Sequence, residues 1–450
     1  MRPFPKPLLF DIHASASVST AGQSLNQQSS RRSSGCMQAP HASVRIDKHG
    51  IAGQAIPCNP RLYKDRVILF AKLSRIRRNF SGTIMNEIQR TMRSIIQRIA
   101  TGPELSKDIS LEEARIGMQA ILDAEVDPVQ AGIFMIALRM KRETDDEQRG
   151  VLDAARAATQ HVVAEVDDVV DIADPYDGYN RCLPASPFLP LVLAECGVPA
   201  VSHGLNEVGP KFGVTHRHVL QAAGINVDLS PEDAAARLSN PDIGWTYVDQ
   251  RAFAPKLHNL VPLRGTVVKR QVLTTVEVLL RPIHGRKKTH LVTGYVHKPY
   301  PRIYALLARH AGFDSALLVR GVEGGVVPSL RQTGVCFNYQ HLSEEQSFDI
   351  DPVAIGIEQN IRAVPLPDDL PTTNRPGDDI AVAVDVQATA AAAAQAGMAA
   401  LKGTRGPSYD SLVFAGALVL WHLGRESTLQ AGADRIRAAL DSGAAAQRLQ

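Results

Sequence analysis

The sequence predicts an α/β protein in which an N-terminal helical domain precedes an α/β domain with a mainly parallel central sheet. Three observations carry this. From Met85 to about residue 165, apolar residues recur at helical spacing behind N-cap residues. After Asp168, short β-type runs alternate with helices, the pattern of βαβ units. Ala-rich helices then close the chain. At 450 residues, 44% hydrophobic and 21% charged, the chain can bury a large core in one or two domains behind an exposed segment.

In chain order, residues 1–84 are rich in Ser, Gln, Arg and Pro, carry only Asp11, Asp47 and Asp65 as acids, and show no sustained apolar period. Such a segment buries too little to order itself, so it is expected to be a disordered or non-native extension. A targeting peptide, an over-extended start with the true first residue at Met85, and a basic binding arm are the readings open for it.

Residues 85–165 are expected to form a four-helix dimerisation domain. Ile88, Met92, Ile95, Ile96 and Ile99 share one face until Gly102-Pro103. Ser110 with Glu113, Asp127-Pro128 with Gln130, and Thr144 with Glu147 are capping-box pairs that start three more helices. The stripe Val129, Ile133, Ile136, Ala137 and Met140 is open between core packing and a dimer contact.

Residues 166–450 are expected to form the α/β domain. Strands are predicted at 169–173, 199–202, 245–248, 291–296 and 316–319. Helices are predicted from Ser186-Pro187 to Glu195, up to Gly224, from Ser230-Pro231, and from Pro301 to His310. Residues 344–385 are acidic, Pro-rich and aperiodic, and read as a long excursion. The closing helices are placed at about 385–401, 408–423 and 427–440.

No apolar run approaches the roughly 20 residues of a membrane span, so no membrane role is expected. Cys36, Cys58, Cys182, Cys196 and Cys336 show no metal-type spacing and read as reduced structural thiols of a cytoplasmic protein. The histidines, including His216 and His218, lack a third ligand at metal spacing. No nucleophile elbow, Walker loop or GxGxxG is present.

The net charge of +3 hides an asymmetry: residues 1–100 carry 16 Lys/Arg against four acids, which leaves 33 against 42 in residues 101–450. Within that acidic body, residues 251–302 hold 11 Lys/Arg and the single acid Glu277, a band suited to an anionic partner.

In an open α/β sheet, ligands bind beyond the C-terminal strand ends, so the loops after Ala173, Val201, Val248 and Val319 are expected to face the site. A resemblance shows there. Leu111-Glu-Glu-Ala114, Gln130 to Leu138 and Lys141-Arg-Glu-Thr144 resemble the helical domain of anthranilate phosphoribosyltransferase, whose last element reads Lys-Gly-Glu-Thr. Ser202-His203-Gly204 resembles that family's Lys-His-Gly-Asn-Arg strand end, and the run from Ala223 to Pro231 resembles its Leu-Gly-Val-Asn-Leu-Asp-Leu-Ser-Pro. Pro255, Pro262, Arg264 and Arg270 fall on Pro and Arg positions of the segment that enters its active site. The resemblance implies a helical dimerisation domain hinged to an α/β domain, the fold type shared with pyrimidine nucleoside phosphorylases. It also implies transfer of phosphoribosyl from phosphoribosyl pyrophosphate to an aromatic amine, with magnesium held by an Asp-Glu pair.

The departures are local. Where the family has Gly-Thr-Gly-Gly-Asp, this chain reads Asp174-Pro-Tyr-Asp-Gly-Tyr-Asn-Arg181. That loop has one glycine, a proline without an amide donor, and two carboxylates expected to repel a polyphosphate. Ser202 replaces a Lys, and Val326-Val327 replaces the magnesium acids, which need oxygen donors. These features are similar to the YbiB-type paralogues of the family, which the resemblance implies are homodimers that bind nucleic acid without the parent activity.

Two functions follow as expectations. The first is a divergent paralogue holding nucleic acid or another polyanion through Lys269, Arg281, Arg286, Lys287 and Lys288; solvated surface charge is the bland alternative for those residues. Base stacking is weakly supported, since only Tyr295, Tyr300 and Tyr304 are near. The second is an active pentosyltransferase with a rebuilt site, whose phosphate and ribose candidates are Gly178, Asn180, Arg181, His203, Gly204, Asn206, Arg264 and Arg270. No cofactor is expected unless transferase activity persists, in which case magnesium is implied. His203 and Glu323 are open between contacting ligand and satisfying the protein's own groups.

Overall fold

A computed structural model describes residues 86–102, 104–373 and 384–449, all within the compact unit Thr83–Gln450. The expectations for residues 1–84, and for Cys36 and Cys58, lie outside the described residues.

Four helices open the unit: α1 (Glu87–Ile99), α2 (Leu111–Leu122), α3 (Pro128–Lys141) and α4 (Asp145–Ala157). Reciprocal capping boxes start α2 at Ser110/Glu113 and α4 at Thr144/Glu147, as the spacing predicts, and a further one starts α1 at Asn86/Gln89. Asp127 caps α3 through the Val129 amide (2.8 Å) without a return bond from Gln130, because Pro128 already removes one donor needing a partner. Helices α2 and α4 cross closely at Gly150, where a Cβ would come within 2.2 Å of the Leu111 carbonyl oxygen.

The α3 stripe, open between core packing and a dimer contact, is divided. Ala137 is buried with Ala131, Phe134, Met135 and Leu138, whereas Val129 and Met140 are 69% and 73% exposed and Ile133 is also exposed. Helix α3 is apolar nearly all round, so periodicity did not mark which side packs. Its C-cap, Arg142, stands at φ +67°, a conformation that suits the glycine of the family pattern better than an arginine.

The central sheet has seven strands in the order β4-β3-β2-β6-β7-β8-β9. Here β2 is Asp168–Ala173, β3 Ala200–Gly204, β4 Trp245–Asp249, β6 Lys288–Gly294, β7 Ser315–Val319, β8 Gly334–Gln340 and β9 Gln346–Ile350; β1 (Val162–Val163) and β5 (Ile283–His284) pair separately. The pairings among β2, β3, β4, β6 and β7 are parallel, and β8 and β9 add antiparallel at one edge. Those last two strands depart from the sequence reading, which had no strand at 334–340 and placed β9 in the excursion. Strand β9 is exposed at Gln346, Ser347 and Asp349, an edge strand whose polarity hides it from hydropathy.

Helices cover both sheet faces, which is why β3, β4 and β7 are buried throughout and β2 and β6 are buried beyond their first residues. One core joins the helical domain to α7 (Pro231–Ser239), α8 (Val261–Val267) and α9 (Tyr300–His310). The other packs α5 (Leu189–Glu195), α6 (His216–Ala222), α10 (Val386–Leu401), α11 (Pro407–His422) and α12 (Leu429–Asp441) on the opposite face. Strand order reverses between β2 and β6, so a crevice opens at their C-terminal ends. Among the described residues no helix is long and apolar enough to cross a membrane.

Candidate functional site

That crevice holds a cavity of about 350 Å³. Its floor is the loop after β2 (175–177 and 180–181) and the end of β6 with its loop (293–297). Its walls come from Arg270, Thr274, Thr275, Val278, Lys211 and Glu323-Gly324, with Arg139, Tyr300 and Tyr304 from α3 and α9. The loops after β2 and β7 line it as expected; the loop after β6 joins them unforeseen, and the residues directly following β4 do not reach it.

The β2 loop is fastened rather than open. Asp174 is buried and accepts hydrogen bonds from Tyr179 Oη (2.7 Å), Ser186 Oγ (2.5 Å), His216 Nε2 (2.8 Å) and the Val326 amide (2.9 Å). Burial pushes its carboxyl up, but the His216, Ser186 and Tyr179 partners outweigh this and hold it below the ordinary carboxylate range. Asp177 is clasped by Arg270 at 2.6 and 3.0 Å. Neither carboxylate is thus the free repulsive charge expected from sequence, because each has a partner distant in the chain. Gly178, at φ +75°, gives close approach to Gly213, whose carbonyl carbon would lie 2.6 Å from an added Cβ, and does not line the cavity.

Glu323 governs the far end of this loop. Its carboxylate accepts the amides of Arg181 (2.8 Å) and Asn180 (3.2 Å) and pairs with Lys211 Nζ at 2.6 Å, with both side chains nearly buried. Burial raises its pKa, yet Lys211 and the two amides outweigh burial and lower it. Glu323 sits at φ +54°, so the segment takes a strained turn that delivers the carboxylate to those donors. Two amides and an ammonium around one anionic group make an anion cradle filled from within.

Of the eight phosphate and ribose candidates, Asn180, Arg181 and Arg270 line the cavity. His203 does not: it is buried, donates from Nε2 to Asp171 (2.7 Å), and accepts at Nδ1 from Tyr176 Oη, so it reaches the cavity only through the Tyr176 ring. Gly204 is buried beside Tyr247, and Asn206 is exposed away from the cavity, its carbonyl accepting from Thr215. Arg264 is fully buried in a bidentate pair with Glu277 (2.6 and 2.7 Å), also bonded to Gln271, which makes it a core ion pair. Val326 packs in the core and Val327 against it, offering magnesium no oxygen, while Glu323 is committed to Lys211; these residues do not fit that ion. Among the described residues no group of three His, Cys, Asp or Glu side chains could hold a metal ion.

The basic band is largely dispersed. Arg251 pairs with Asp228, Lys256 with Asp123, Arg302 with Asp145, and Arg286 and Lys287 with Asp167 at 2.9 and 2.7 Å. Arg281, expected in the polyanion cluster, is instead half-buried over Phe313 (5.7 Å) and donates to the Gly312 carbonyl. Burial lowers its pKa. Lys269, Lys288 and Lys298 keep exposed side chains without an ion pair among the described residues.

Sequence reasoning missed Lys211, Tyr176 and Arg139, for which no local pattern exists, since each reaches the cavity from a different element. Glu323 carried a usable signal, an acid inside a Gly-rich turn, and the backbone-bonding option for it is the one found. Cys182, Cys196 and Cys336 are free and buried, and burial pushes the last two thiols up to about 11 and about 12.

A helical domain beside a mostly parallel sheet with a cleft at its switch point defines a two-domain α/β protein with a ligand-sized site. Family models agree: the glycosyl transferase family helical bundle domain matches residues 93–159 and the family's a/b domain matches residues 180–446. The chain belongs to glycosyl transferase family 3. It is 27% identical over 360 residues to the anthranilate phosphoribosyltransferase of Bradyrhizobium diazoefficiens, spanning 80% of this chain and 97% of that protein. It is 30% identical over 222 residues to an uncharacterized protein of Aquifex aeolicus, 49% of this chain and 65% of that one. Among solved structures, anthranilate phosphoribosyltransferase from Thermus thermophilus superposes with a TM-score of 0.61 at 20% identity over 80% of this chain and 97% of that one. The Saccharomyces cerevisiae enzyme in complex with PRPP and Mg superposes at 0.63 with 16% identity, over 81% and 97%.

Proposed function

We propose that this protein is a divergent, cytoplasmic member of the family that binds nucleic acid or another polyanion and does not carry out magnesium-dependent phosphoribosyl transfer. The observation that carries the reading is the Glu323 carboxylate seated on the Asn180 and Arg181 amides against Lys211, where the resemblance puts pyrophosphate. A second anion there meets an occupied cradle and a like charge. For the polyanion, the contact cations are Lys269, Lys288 and Lys298, joined by Arg286 and Lys287, whose pairs with Asp167 are exposed and weak enough to be exchanged for phosphate. The exposed stripe of Val129, Ile133 and Met140 supports a homodimer, which would present these cations twice.

Single-stranded DNA binding by the full chain, measured across a salt series, tests this. Log affinity should fall as log salt rises, and Lys287→Glu with Lys288→Glu should flatten the slope. Binding that is absent or indifferent to salt would sink it. Met140→Glu should turn a dimer into a monomer by light scattering.

An active pentosyltransferase is the second reading, favoured by the cavity of about 350 Å³ with Asn180, Arg181 and Arg270 on its walls. It requires release of pyrophosphate from PRPP with magnesium and an aromatic amine or base. No turnover and no thermal shift with PRPP would remove it.

A further inference from the structure

A second cavity, of about 530 Å³, lies on the other side of the Glu323 turn. Three arginines from three separate segments line it: Arg181 after β2, Arg320 after β7, and Arg362 from the long excursion. None of the three has a side-chain ion pair or hydrogen bond among the described residues, and all three are exposed. Many arginines of this acidic body are paired, at Arg98, Arg115, Arg149, Arg217, Arg302 and Arg435 for example, and others that are not, such as Arg93, Arg142 and Arg331 among the described residues, do not line this cavity. The one carboxylate on the cavity wall is Glu323, already neutralised by Lys211.

The backbone that carries these arginines is fixed. The Arg181 amide is held by Glu323 (2.8 Å), Gly321 next to Arg320 donates to Val319 (2.8 Å), and the Arg362 carbonyl accepts from Leu330 (3.0 Å). Val364 accepts from Leu183 (3.0 Å), which ties the excursion down over the cavity. Three uncompensated guanidiniums on a pinned frame form a focused positive field, and guanidiniums match phosphate oxygens with paired N–H donors. Ser329 and Thr333 add neutral hydroxyls, while Val322, Pro328 and Val364 supply an apolar wall for an organic body.

We propose that this cavity is a binding site for a dianionic phosphomonoester of a small molecule, with Arg181, Arg320 and Arg362 holding the phosphate. It is a different site from the lysine-bearing surface proposed for nucleic acid and stands independently of that reading. Three positive charges suit a dianion better than a single carboxylate. The volume accommodates a sugar phosphate or nucleoside monophosphate, with the sugar or base against the apolar wall.

Calorimetric titration of the full chain with inorganic phosphate, ribose 5-phosphate and AMP, at matched ionic strength, tests it. Saturable one-to-one binding is expected. Arg320→Gln with Arg362→Gln should weaken it about 100-fold, roughly tenfold per guanidinium lost. Arg93→Gln with Lys107→Gln, an equal charge loss outside the cavity, should leave it unchanged. Equal affinity for all three probes identifies a site that reads the phosphate alone; tighter binding of ribose 5-phosphate or AMP identifies the organic group as part of the ligand. Neither cavity arginine supports another side chain, so the double variant should melt with the parent chain. No saturable binding of any probe up to about 10 mM, or undiminished binding by a double variant that melts normally, would overturn the proposal.

Discussion

Replacing Glu323 by alanine removes the acid that pairs with Lys211 among the described residues, in a nearly buried pair, and frees the amides of Asn180 and Arg181. Breaking one partner of a buried pair costs about 3–5 kcal/mol, since the other charge is left without compensation. Unfolding entropy of about 2.1 cal/mol/K per residue over the 368 residues of Thr83–Gln450 converts this to a loss of about 4–6 °C in Tm. Alanine keeps the φ of +54°, so it gives no strain relief; Glu323→Gly should regain about 1 kcal/mol of the loss. If the cradle is an anion site, an added anion should replace the missing carboxylate. Inorganic phosphate at about 20 mM, binding with Kd about 1 mM, restores about 1.8 kcal/mol, or about 2 °C. The assay is thermal melting of the parent chain and Glu323→Ala with and without phosphate. The informative quantity is the extra phosphate-dependent rise caused by Glu323→Ala in an Arg320→Gln, Arg362→Gln background, because Glu323 also lines the arginine-lined cavity and that contribution must be removed from both sides of the comparison. Equal rises would refute the reasoning that Glu323 occupies an anion site.

Three further outcomes are expected. Arg264→Met should cost about 3–5 kcal/mol by stranding Glu277, whereas Arg264→Met with Glu277→Leu should recover most of it, both read by denaturant unfolding. Arg142→Gly should stabilise by roughly 1 kcal/mol in the same assay, because glycine takes φ +67° without the Cβ penalty; a destabilised variant would refute the strain. His422 is pushed down to about 3 by burial and by neighbouring His290, so the folded state refuses a proton that the unfolded chain accepts below its ordinary value of 6.5. Its contribution is whole above that value and declines toward pH 3, a loss of about 2 kcal/mol by pH 5. His422→Gln should therefore lose less Tm than the parent between pH 7 and pH 5, and parallel profiles would count against it.

The parts of the fold legible in sequence were those whose physics is local. N-caps at Ser110, Thr144 and Ser230, and glycine stops at Gly197 and Gly224, mark helix ends by chemistry within four residues, and the structure places the ends there. The buried parallel strands announced themselves as unbroken apolar runs. Strands β8 and β9 did not, because antiparallel edge strands face water on alternate residues and Gly334 and Gln346 carry no strand signal. The α3 stripe was visible, but which side it buried depended on helices far away in sequence.

The site was harder for the same reason, and charge shows why. Counted along the chain, residues 251–302 look like an unopposed basic band; in space Asp123, Asp145, Asp167 and Asp228 arrive from other segments and pair with five of its eleven cations, and Asp177 takes a sixth, Arg270. Arg181, Arg320 and Arg362 are separated by 139 and 42 residues and form no run, yet they share one cavity whose single lining acid, Glu323, is paired with Lys211. Local charge density therefore overstates a site when acids fold back onto it, and understates one when cations converge from several strand ends. In a parallel α/β domain the second case is the expected one, since each loop at the C-terminal edge brings one or two residues to a common crevice. Arg93, Arg142 and Arg331 also lack an ion pair among the described residues, so what singles out Arg181, Arg320 and Arg362 is their convergence on one cavity and not the lack of a partner alone.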